Sequence, residues 1–408
     1  MVDKIKVNNP DVGYYNELEY EYMYDSKFDL TPNSRDEKTI YVAIACYRDP
    51  ELVPTIESLY LNAKNPERIH VGVGLLYSDF DEEYWTVLEK YPNVKIDVKK
   101  STAETVGLGL QRESANSFYN KQDYYLQTDS HMRFDMHWDD LYIHQIENLK
   151  VLGEKKPLIT GYPRGYAPDG PYNVQGMYPY FNRLSKELYF REKAGGNRVP
   201  CLRTGTNPPK FFKEVGFPRH GDRTFSKGET LALSNTLSPA QIFTDGKYVK
   251  EVPANPEIRF LEEEQYYAIL SYMKGYNFYV PRVTGIMHLY TMSAGQQILV
   301  RAHPQQEYPD MFSMDSYLEE NLGGSKVFKK LQALKNTARS FADYEKFANI
   351  NYADRRLIAP VDRIYQNEIT AAINFISELD LFADTDYSNW MYDPTYPFYE
   401  DVARNENL

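Results

Sequence analysis

The sequence predicts an α/β fold in which a mostly parallel sheet is flanked by helices, with a loop-rich insertion and a C-terminal helical addition. Two observations predict this class: β-rich apolar runs alternate with segments of helical periodicity, and polar turn residues separate them. Strands that alternate with helices pair in parallel through right-handed crossovers. A chain of 408 residues is long enough for one large domain of this kind with additions.

The alternation of strands and helices starts at residue 39. Strands are predicted in TIYVAIACY, RIHVGVGLLY and NVKIDVKKS, with helices between them in PELVPTIESLYLNAKNP and DEEYWTVLEKYP. The first helix has Leu52, Ile56 and Leu59 at helical spacing, and Pro66 marks its end. The stretch VGLGLQRESANSFYN then predicts a loop that enters a helix, and DYYLQTDS predicts a fourth strand.

The chain divides into regions of different character. Residues 1–37 lack periodicity and are interpreted as an N-terminal arm, and residues 38–295 are assigned to the α/β domain. Within that domain, residues 164–227 are rich in Gly, Pro, Asn and Arg, which predicts a loop-rich insertion. The stretch IRFLEEEQYYAILSYMKGYNFYVP predicts a helix that closes at Gly275 and then a strand. Residues 296–408 form a C-terminal region with two amphipathic helices, in SKVFKKLQALKNTA and VDRIYQNEITAAINFISELDLF.

Composition excludes several classes of protein. A net charge of −12 argues against nonspecific coating of nucleic acid, because affinity for phosphates comes from Lys and Arg. No stretch reaches the ~18 consecutive apolar residues of a membrane span, and Met1 to Leu30 is polar where a secretory signal would be apolar. Cys46 and Cys201 supply neither a disulfide framework nor a CxxC metal pair. We therefore expect a cytoplasmic protein with no membrane partner.

The stretch YYLQTDSHMRF places Asp129 and His131 two residues apart, directly after a predicted strand. In open α/β sheets, ligands bind outside the carboxyl ends of the strands, and Arg48-Asp49 falls at another such end. A carboxylate and a neutral imidazole on one side of a turn suit Mn²⁺ or another divalent ion that also binds phosphate oxygens. His288, which follows a later strand, is the best candidate for a third ligand. The alternative is that Asp129 caps the next segment and His131 is a solvated surface side chain.

Around this motif the sequence resembles the cytosolic GT-A glycosyltransferases that attach N-acetylglucosamine to hydroxyproline of a ubiquitin-ligase adaptor. The resembling stretches follow the family's order between residues 39 and 350, and they are IYVAIACYRDPELVPTIESLYLNAKNPERIHVGV, GLGLQRESAN, DYYLQTDSHMRFDMHWDD, RFLEEEQYYAILSYMKGYNFYVPRVTGIMHLY and ARSFADYEKFANI. The YRDPEL turn and the LQTDSHMRF block are the most specific. More distantly, the Asp-x-His pair with a later histidine is similar to the metal site of the mucin-type polypeptide N-acetylgalactosaminyltransferases.

The resemblance implies a GT-A fold with residues 38–295 as the catalytic domain. Residues 164–227 show little likeness to the family, and they are expected on the acceptor side because insertions of this kind usually build it. The resemblance also implies a UDP-sugar donor, a divalent metal and retention of configuration at the anomeric carbon. The metal, with Mn²⁺ favoured and Mg²⁺ as the alternative, would be held by Asp129, His131 and His288. It would offset charge that grows on the leaving diphosphate.

The resemblance further implies a set of donor-binding residues, which are Ala45, Tyr47, Arg48, Gly107, Arg112, Asp129 and Ser130. Arg48 would form charge-assisted bonds to uracil or phosphate, unless it is only a surface ion-pair partner. Arg112 would stand beside the diphosphate or ribose. Gly107 and Gly109 would permit close backbone approach, although their spacing matches neither a Walker nor a Rossmann motif.

Glu263 and Glu264 are the candidate catalytic residues. They lie in FLEEEQ, which corresponds to a family stretch where glycine precedes two acids, and Glu262 replaces that glycine here. Their carboxylates would bond sugar hydroxyls or the incoming acceptor hydroxyl, unless they only complement the dipole of the helix that starts there. Trp138 and Asp139 are further candidates for the sugar pocket, and Trp138 is equally consistent with a place in the core.

The predicted activity is transfer of a sugar, with N-acetylglucosamine favoured, to a hydroxyl on a macromolecular acceptor. A protein acceptor is placed first. The excess of Lys and Arg between Pro179 and Lys227 keeps open a phage-type transfer to DNA with hydroxymethylated bases, where a flipped base would present its hydroxyl. Two other classes remain as alternatives: a metal-dependent sugar-nucleotide hydrolase with the same ligands, and a non-catalytic binding module that kept the fold.

Overall fold

The computed structural model describes residues 37–358 except 80, 136, 152, 162, 169–176, 183–186, 193–198, 205–219, 226–231, 235, 261, 282–284, 290–303, 309–325 and 354–355. The predicted N-terminal arm, apart from Glu37, lies outside these residues. The last predicted amphipathic helix, in VDRIYQNEITAAINFISELDLF, lies outside them as well. The domain boundaries drawn from the sequence stay predictions.

The described residues form strands and helices that we number along the chain. The strands are β1 (Ile40–Tyr47), β2 (Ile69–Tyr77), β3 (Val94–Lys100), β4 (Tyr124–Asp129), β5 (Met132–Phe134), β6 (Pro157–Thr160), β7 (Arg164–Pro168), β8 (Met177–Asn182), β9 (Glu187–Glu192), β10 (Val199–Thr204), β11 (His220–Phe225), β12 (Ala232–Ser234), β13 (Gln241–Asp245), β14 (Asn277–Val280), β15 (Ile286–His288), β16 (Ile350–Asn351) and β17 (Arg356–Leu357). The α-helices are α1 (Leu52–Leu61), α2 (Leu108–Asn116), α3 (Trp138–Val151), α4 (Tyr248–Glu251), α5 (Glu263–Met273), α6 (Pro304–Glu307), α7 (Lys326–Ala333) and α8 (Phe341–Ala348).

An eight-stranded sheet with the order β12-β14-β6-β13-β4-β1-β2-β3 forms the centre of the domain. Strands β4, β1, β2 and β3 pair in parallel, as do β14 and β6. Strand β13 runs antiparallel to both of its neighbours, and β12 runs antiparallel to β14. Six strands therefore share one direction. The predicted α/β class with a mostly parallel sheet flanked by helices is confirmed.

Both faces of the sheet are buried, which explains the continuous apolar runs of β1. Ile40, Val42 and Ile44 face a hydrophobic cluster that also contains the apolar side of α1 and residues of α3. Tyr41 and Ala43 face a second cluster that includes residues of α5 and α8. The alternation along β1 therefore divides its side chains between two cores, because successive residues of a strand point to opposite faces.

One predicted segment takes a form that differs from the expectation, and another ends as predicted. The segment DEEYWTVLEKYP is a 3₁₀ helix, Tyr84–Lys90, rather than an α-helix. Its buried residues Trp85 and Leu88 lie three positions apart, which places them on one face of a helix with three residues per turn. The helix predicted to close at Gly275 does end there, since α5 stops at Met273 and Gly275 has φ +91°.

The predicted loop-rich insertion contains strands. Its described residues form β7 to β11, with β8 and β9 as an antiparallel hairpin and β10 and β11 as another pair. β8 and β9, with the sequences MYPYFN and ELYFRE, are rich in β-favouring aromatic residues, whereas the Gly, Pro and Asn that weaken the periodicity stand mainly between strands. A second sheet, with the order β5-β15-β7-β9-β8, joins the hairpin to the strand that follows β4.

None of the α-helices formed by the described residues is long and apolar enough to cross a membrane.

Candidate metal and donor site

The structure brings together Asp129, His131 and His288, which we call the metal-ligand cluster. Each side chain offers one ligand atom, and these atoms all lie within 4.8 Å of one another. The Nε2 atoms of the two imidazoles are 3.0 Å apart, and His288 Nε2 lies 3.3 Å from Asp129 Oδ2. All three residues are partly accessible to solvent. Two residues that are two positions apart in sequence and one that is 159 positions away from Asp129 thus converge on one point.

Strand pairing produces this convergence. Asp129 is the last residue of β4, whose parallel neighbour β1 aligns Ala45 with it. Strand β5 follows after a two-residue turn and pairs antiparallel with β15, so that His288 stands opposite Met132. The backbone N–H of Leu289 donates to the carbonyl of His131 at 3.0 Å and extends this pairing by one step. His131, in the turn before β5, and His288, at the end of β15, therefore lie side by side at the carboxyl edge of β4.

Arg112 holds Asp129 from the side opposite His288. Its side chain is 1% exposed and donates from Nη2 to Asp129 Oδ1, from Nη1 to the Thr128 carbonyl and from Nε to Glu263 Oε1, at 2.8, 2.5 and 2.8 Å. Burial alone would raise the pKa of Asp129, but the hydrogen bond with His288 and the charge of Arg112 outweigh it and hold the pKa well below its usual range. Asp129 is therefore an ionised carboxylate with Oδ2 turned toward His288.

Glu263 stands at the start of α5 on the other side of Arg112 and is 5% exposed. Burial raises the pKa of Glu263 to about 7, against the opposing effect of Arg112. Glu264 is partly buried in the same first turn. Glu262, which replaces the family's glycine, is buried and accepts from the backbone N–H groups of Arg259 and Phe260 at 2.6 and 3.3 Å. Its carboxylate therefore stabilises the turn that leads into α5.

Asp49 is a site residue to which the sequence analysis assigns no role. It lies just beyond β1, is 4% exposed, and its Oδ2 accepts from Ser130 Oγ at 2.9 Å and contacts His131 Nδ1 at 2.8 Å. Its position directly after β1 in the sequence could have identified Asp49 as a site residue, because the carboxyl ends of neighbouring parallel strands meet at one edge of the sheet. Ser130, which the resemblance assigns to the UDP-sugar site, is buried and donates this hydrogen bond to Asp49.

Tyr47 and Arg48, at the end of β1, contact carboxylates of the protein itself. Arg48 donates from Nε and Nη2 to the two carboxylate oxygens of Asp81, each at 2.8 Å, and pairs through Nη1 with Glu307 at the end of α6. Tyr47 donates to the other oxygen of Glu307 at 2.5 Å. Arg48 has φ +49°, in the left-handed region that few non-glycine residues adopt. Hydrogen bonding to Asp81 raises the pKa of Arg48, which stays charged.

The glycines before α2 serve contacts within the protein. A Cβ on Gly109 would lie 1.9 Å from the carbonyl oxygen of Asn255, so only glycine allows this approach. The N–H groups of Leu108 and Gly109 donate to the carbonyls of Arg259 and Ile258 at 2.8 and 2.9 Å. Gly107 has φ +156° and precedes the helix. This segment packs α2 against residues 255–259, and in doing so it places Arg112.

Trp138 and Asp139, the additional candidates for a sugar pocket, are fully buried. Trp138 donates from Nε1 to the Leu59 carbonyl at 2.9 Å and belongs to the core, as its alternative interpretation held. Asp139 accepts from Arg68 Nη2 at 2.6 Å and from the backbone N–H of Lys64 at 2.7 Å. Trp138 therefore ties the start of α3 to α1, and Asp139 ties it to the segment after α1.

The metal-ligand cluster fits a divalent ion in distance and in charge. Ligands about 2.1 Å from an octahedral ion lie about 3.0 Å apart, close to the 3.0 and 3.3 Å between ligand atoms here. Around it lie the carboxylates of Asp49, Asp129 and Glu263 and one guanidinium, that of Arg112, which bonds to Asp129 and Glu263. With neutral imidazoles and with Asp49 and Asp129 ionised, this group has excess negative charge, to which Glu263 adds above its raised pKa of about 7, and a divalent cation would offset that charge. An oxygen donor with two imidazole nitrogens suits Mn²⁺ and related ions.

A comparison with known protein families identifies the family of this chain. The sequence pattern of the family described as Glycosyltransferase (GlcNAc) matches residues 39–95 and 80–342. The chain therefore belongs to this family. The resemblance to N-acetylglucosaminyltransferases and the predicted enzyme class are confirmed at this level. In a comparison with curated proteins, no single sequence matches the chain significantly.

Solved structures with a similar chain path include two glycosyltransferases. GalNAc-T7 with UDP, GalNAc and Mn²⁺ is 13% identical over 86% of this chain, with a TM-score of 0.44. The present chain spans 63% of that structure's length. TarS residues 1–349 from S. aureus is 11% identical over 84% of this chain and 83% of its own, with a TM-score of 0.37. A complex of the same TarS fragment with UDP-GlcNAc has a TM-score of 0.36 and 11% identity.

Proposed function

We propose that this protein is a metal-dependent, retaining glycosyltransferase that moves N-acetylglucosamine from a UDP-sugar to a hydroxyl on a macromolecular acceptor. The observation that carries the proposal is the convergence of Asp129, His131 and His288 at the carboxyl edge of a parallel sheet, in a chain that belongs to a GlcNAc glycosyltransferase family. Ligands of open α/β folds bind at this edge, where strand ends leave side chains accessible.

The residues of the cluster would hold Mn²⁺ or a similar ion. Such an ion supplies Lewis-acid stabilisation of the negative charge on a leaving diphosphate. Asp129 contributes an ionised oxygen because Arg112 and His288 keep it deprotonated. Arg112 itself is buried under two carboxylates, so its role in this proposal is to orient Asp129 and Glu263 rather than to touch the nucleotide. Tyr47 and Arg48 would hold the uridine after their bonds to Glu307 exchange for bonds to the donor.

Retention of configuration is supported by the state of Glu263. Its Oε1 is bonded to Arg112 Nε and its side chain is 5% exposed, so it is engaged in an ion pair. In a front-face retaining transfer the acceptor hydroxyl attacks on the side from which the diphosphate leaves, and a phosphate oxygen takes the proton. Such a reaction requires orientation and charge stabilisation rather than a strongly activated base. Glu264, in the same turn, would bond sugar or acceptor hydroxyls.

The acceptor in this proposal is a protein hydroxyl, with DNA that carries hydroxymethylated bases as the alternative. The strands β8 to β11 belong to the Lys- and Arg-rich segment that would form the acceptor side. A DNA acceptor predicts retention of duplex DNA on a mobility gel with a steep dependence on salt, because phosphate binding releases counterions. A protein acceptor predicts transfer to a polypeptide with no such retention.

The proposal is tested by UDP release from UDP-GlcNAc and other UDP-sugars, with Mn²⁺ or with chelator, first alone and then with protein and DNA acceptors. We expect Mn²⁺-dependent release that an acceptor accelerates, and a product with the donor's anomeric configuration by NMR. Release at one rate with or without every acceptor would assign the protein to the hydrolases instead. Full activity in excess chelator would exclude the metal-dependent mechanism.

A further inference from the structure

We propose that Asp49 is a positioning residue of the metal-ligand cluster, which selects the imidazole nitrogen that His131 presents to the ion. The inference rests on the metal site of the proposed function and adds to it a residue from a different strand. Asp49 lies 82 positions before His131, and it reaches the histidine because β1 and β4 are parallel neighbours.

The geometry assigns the hydrogen on His131. A carboxylate can only accept hydrogen bonds, so the 2.8 Å contact between Asp49 Oδ2 and His131 Nδ1 requires that Nδ1 carries the hydrogen. The lone pair of a neutral His131 then resides on Nε2, the atom that faces His288 Nε2 at 3.0 Å. A carboxylate behind a ligating histidine fixes its tautomer and its ring orientation.

The opposite tautomer of His131 would oppose cation binding by the metal-ligand cluster. With the hydrogen on Nε2, His131 would direct a donor at the point where Asp129 Oδ2 and His288 Nε2 converge. A cation at that point needs lone pairs from all of its ligands. Asp49 therefore acts on the ion through His131 without contacting it.

The two carboxylate oxygens of Asp49 have separate tasks. Oδ1 accepts from the backbone N–H of Glu51 at 3.0 Å, an ordinary bond at the start of α1. Oδ2 makes the bonds to Ser130 Oγ and His131 Nδ1. A purely structural role would need only the first oxygen, whereas the second faces the cluster. This division allows the two roles to be separated by substitution.

Asp49→Ser separates them, because a serine hydroxyl can still cap the Glu51 N–H but does not reach the imidazole. Glu51→Gln is the matched control, since Glu51 lies in the same turn as Asp49 but its carboxylate pairs with Arg133 on β5. The measurements are the His131 tautomer in the metal-free protein by long-range ¹H–¹⁵N NMR and the Mn²⁺ dissociation constant by EPR at fixed pH. Thermal unfolding reports on the fold of each variant.

We expect the hydrogen of wild-type His131 on Nδ1, a shift toward the Nε2 tautomer in Asp49→Ser, and Mn²⁺ binding weaker by about 10- to 100-fold, with Glu51→Gln within about twofold of wild type. Asp49→Ser with wild-type tautomer and Mn²⁺ affinity would overturn the inference, even if its melting temperature falls. If wild-type protein binds no Mn²⁺, the proposed function fails. The tautomer then still decides whether Asp49 orients His131.

Discussion

The metal-ligand cluster and the end of β1 lie on neighbouring strands, yet their side chains are in opposite states. In the cluster, imidazole and carboxylate atoms face one another at 3.0 and 3.3 Å around a shared point. At the end of β1, Arg48 is bonded to Asp81 and Glu307, and Tyr47 is bonded to the same Glu307. Under the proposed function, the first region is preorganised for a cation. The second has its polar groups bonded to other residues of the protein and would have to exchange those bonds before it held a nucleotide.

The comparison shows where free energy would be required on binding. A ligand that enters a preorganised group of side chains needs little rearrangement, whereas one that displaces an ion pair must offset the lost interaction. Metal binding should therefore depend on the ligands and on the groups that orient them. Binding of the UDP-sugar should depend in addition on Glu307, whose carboxylate is bonded to Arg48. Four substitutions test this difference.

Removing a metal ligand should have the largest effect. His288→Ala removes one of the three converging ligands, so we expect loss of measurable Mn²⁺ binding and a fall of about 100-fold or more in sugar transfer. EPR titration and UDP release measure the two quantities. His70→Gln, at a histidine on β2, is the control and should leave both unchanged. Wild-type transfer by His288→Ala would show that the cluster is not the metal site.

Arg112→Met should lower the free energy of unfolding by about 3–5 kcal/mol, because it leaves the ionised Asp129 and the buried Glu263 without their cation. Urea unfolding followed by circular dichroism measures the change. Lys90→Met is the matched control, since Lys90 is exposed and pairs with Glu57 at 2.7 Å. That variant should lose at most about 1 kcal/mol. Equal losses of unfolding free energy in the two variants would contradict the stabilising role of Arg112 between Asp129 and Glu263.

Glu263 should give the metal-free protein a pH-dependent stability. Its pKa in the folded protein is raised from 4.5 to about 7, so its contribution is fully present below pH 4.5 and is lost as the pH rises through 7. The slope from this one group is at most about 1.4 kcal/mol per pH unit. Glu263→Gln should flatten the decline between pH 5 and 8 in unfolding experiments, with Glu57→Gln as a control for lost charge. An unchanged slope in Glu263→Gln would refute this assignment.

Glu307→Gln should have the smallest effect and the opposite sign. The substitution weakens the contact with Arg48 and Tyr47, so UDP should bind about fivefold more tightly, which corresponds to ~1 kcal/mol. Calorimetry with UDP measures it. Weaker binding would mean that Glu307 is itself part of the nucleotide site, and the contrast between the two regions would then disappear.

The sequence predicts the metal-ligand cluster because its signals are local. Asp129 and His131 stand two apart after an apolar strand, and His288 also follows a strand. Asp49 is harder to assign, because its partner is 82 positions away and only the register of β1 with β4 brings them together. The position of Asp49 after β1 was visible in the sequence, but its bond to His131 depends on the exact turn.

Tertiary contacts also explain what the sequence left open. Arg112, which the resemblance places beside the diphosphate or ribose, is buried between Asp129 and Glu263, and sequence patterns carry no direct record of which charges pair. The insertion was expected to be loop-rich because Gly and Pro dominate its connections, but β7 to β11 form between them. Short strands with irregular spacing give little periodic signal.

The left-handed residue at position 48 has one more consequence. Two successive side chains leave this turn toward different partners, Arg48 toward Asp81 and Glu307, and Asp49 toward Ser130 and His131. The contacts of Arg48 and those of Asp49 are therefore linked through a single peptide unit. By thermodynamic reciprocity, if a bound nucleotide raises the affinity for the cation by some factor, the bound cation raises the affinity for the nucleotide by the same factor.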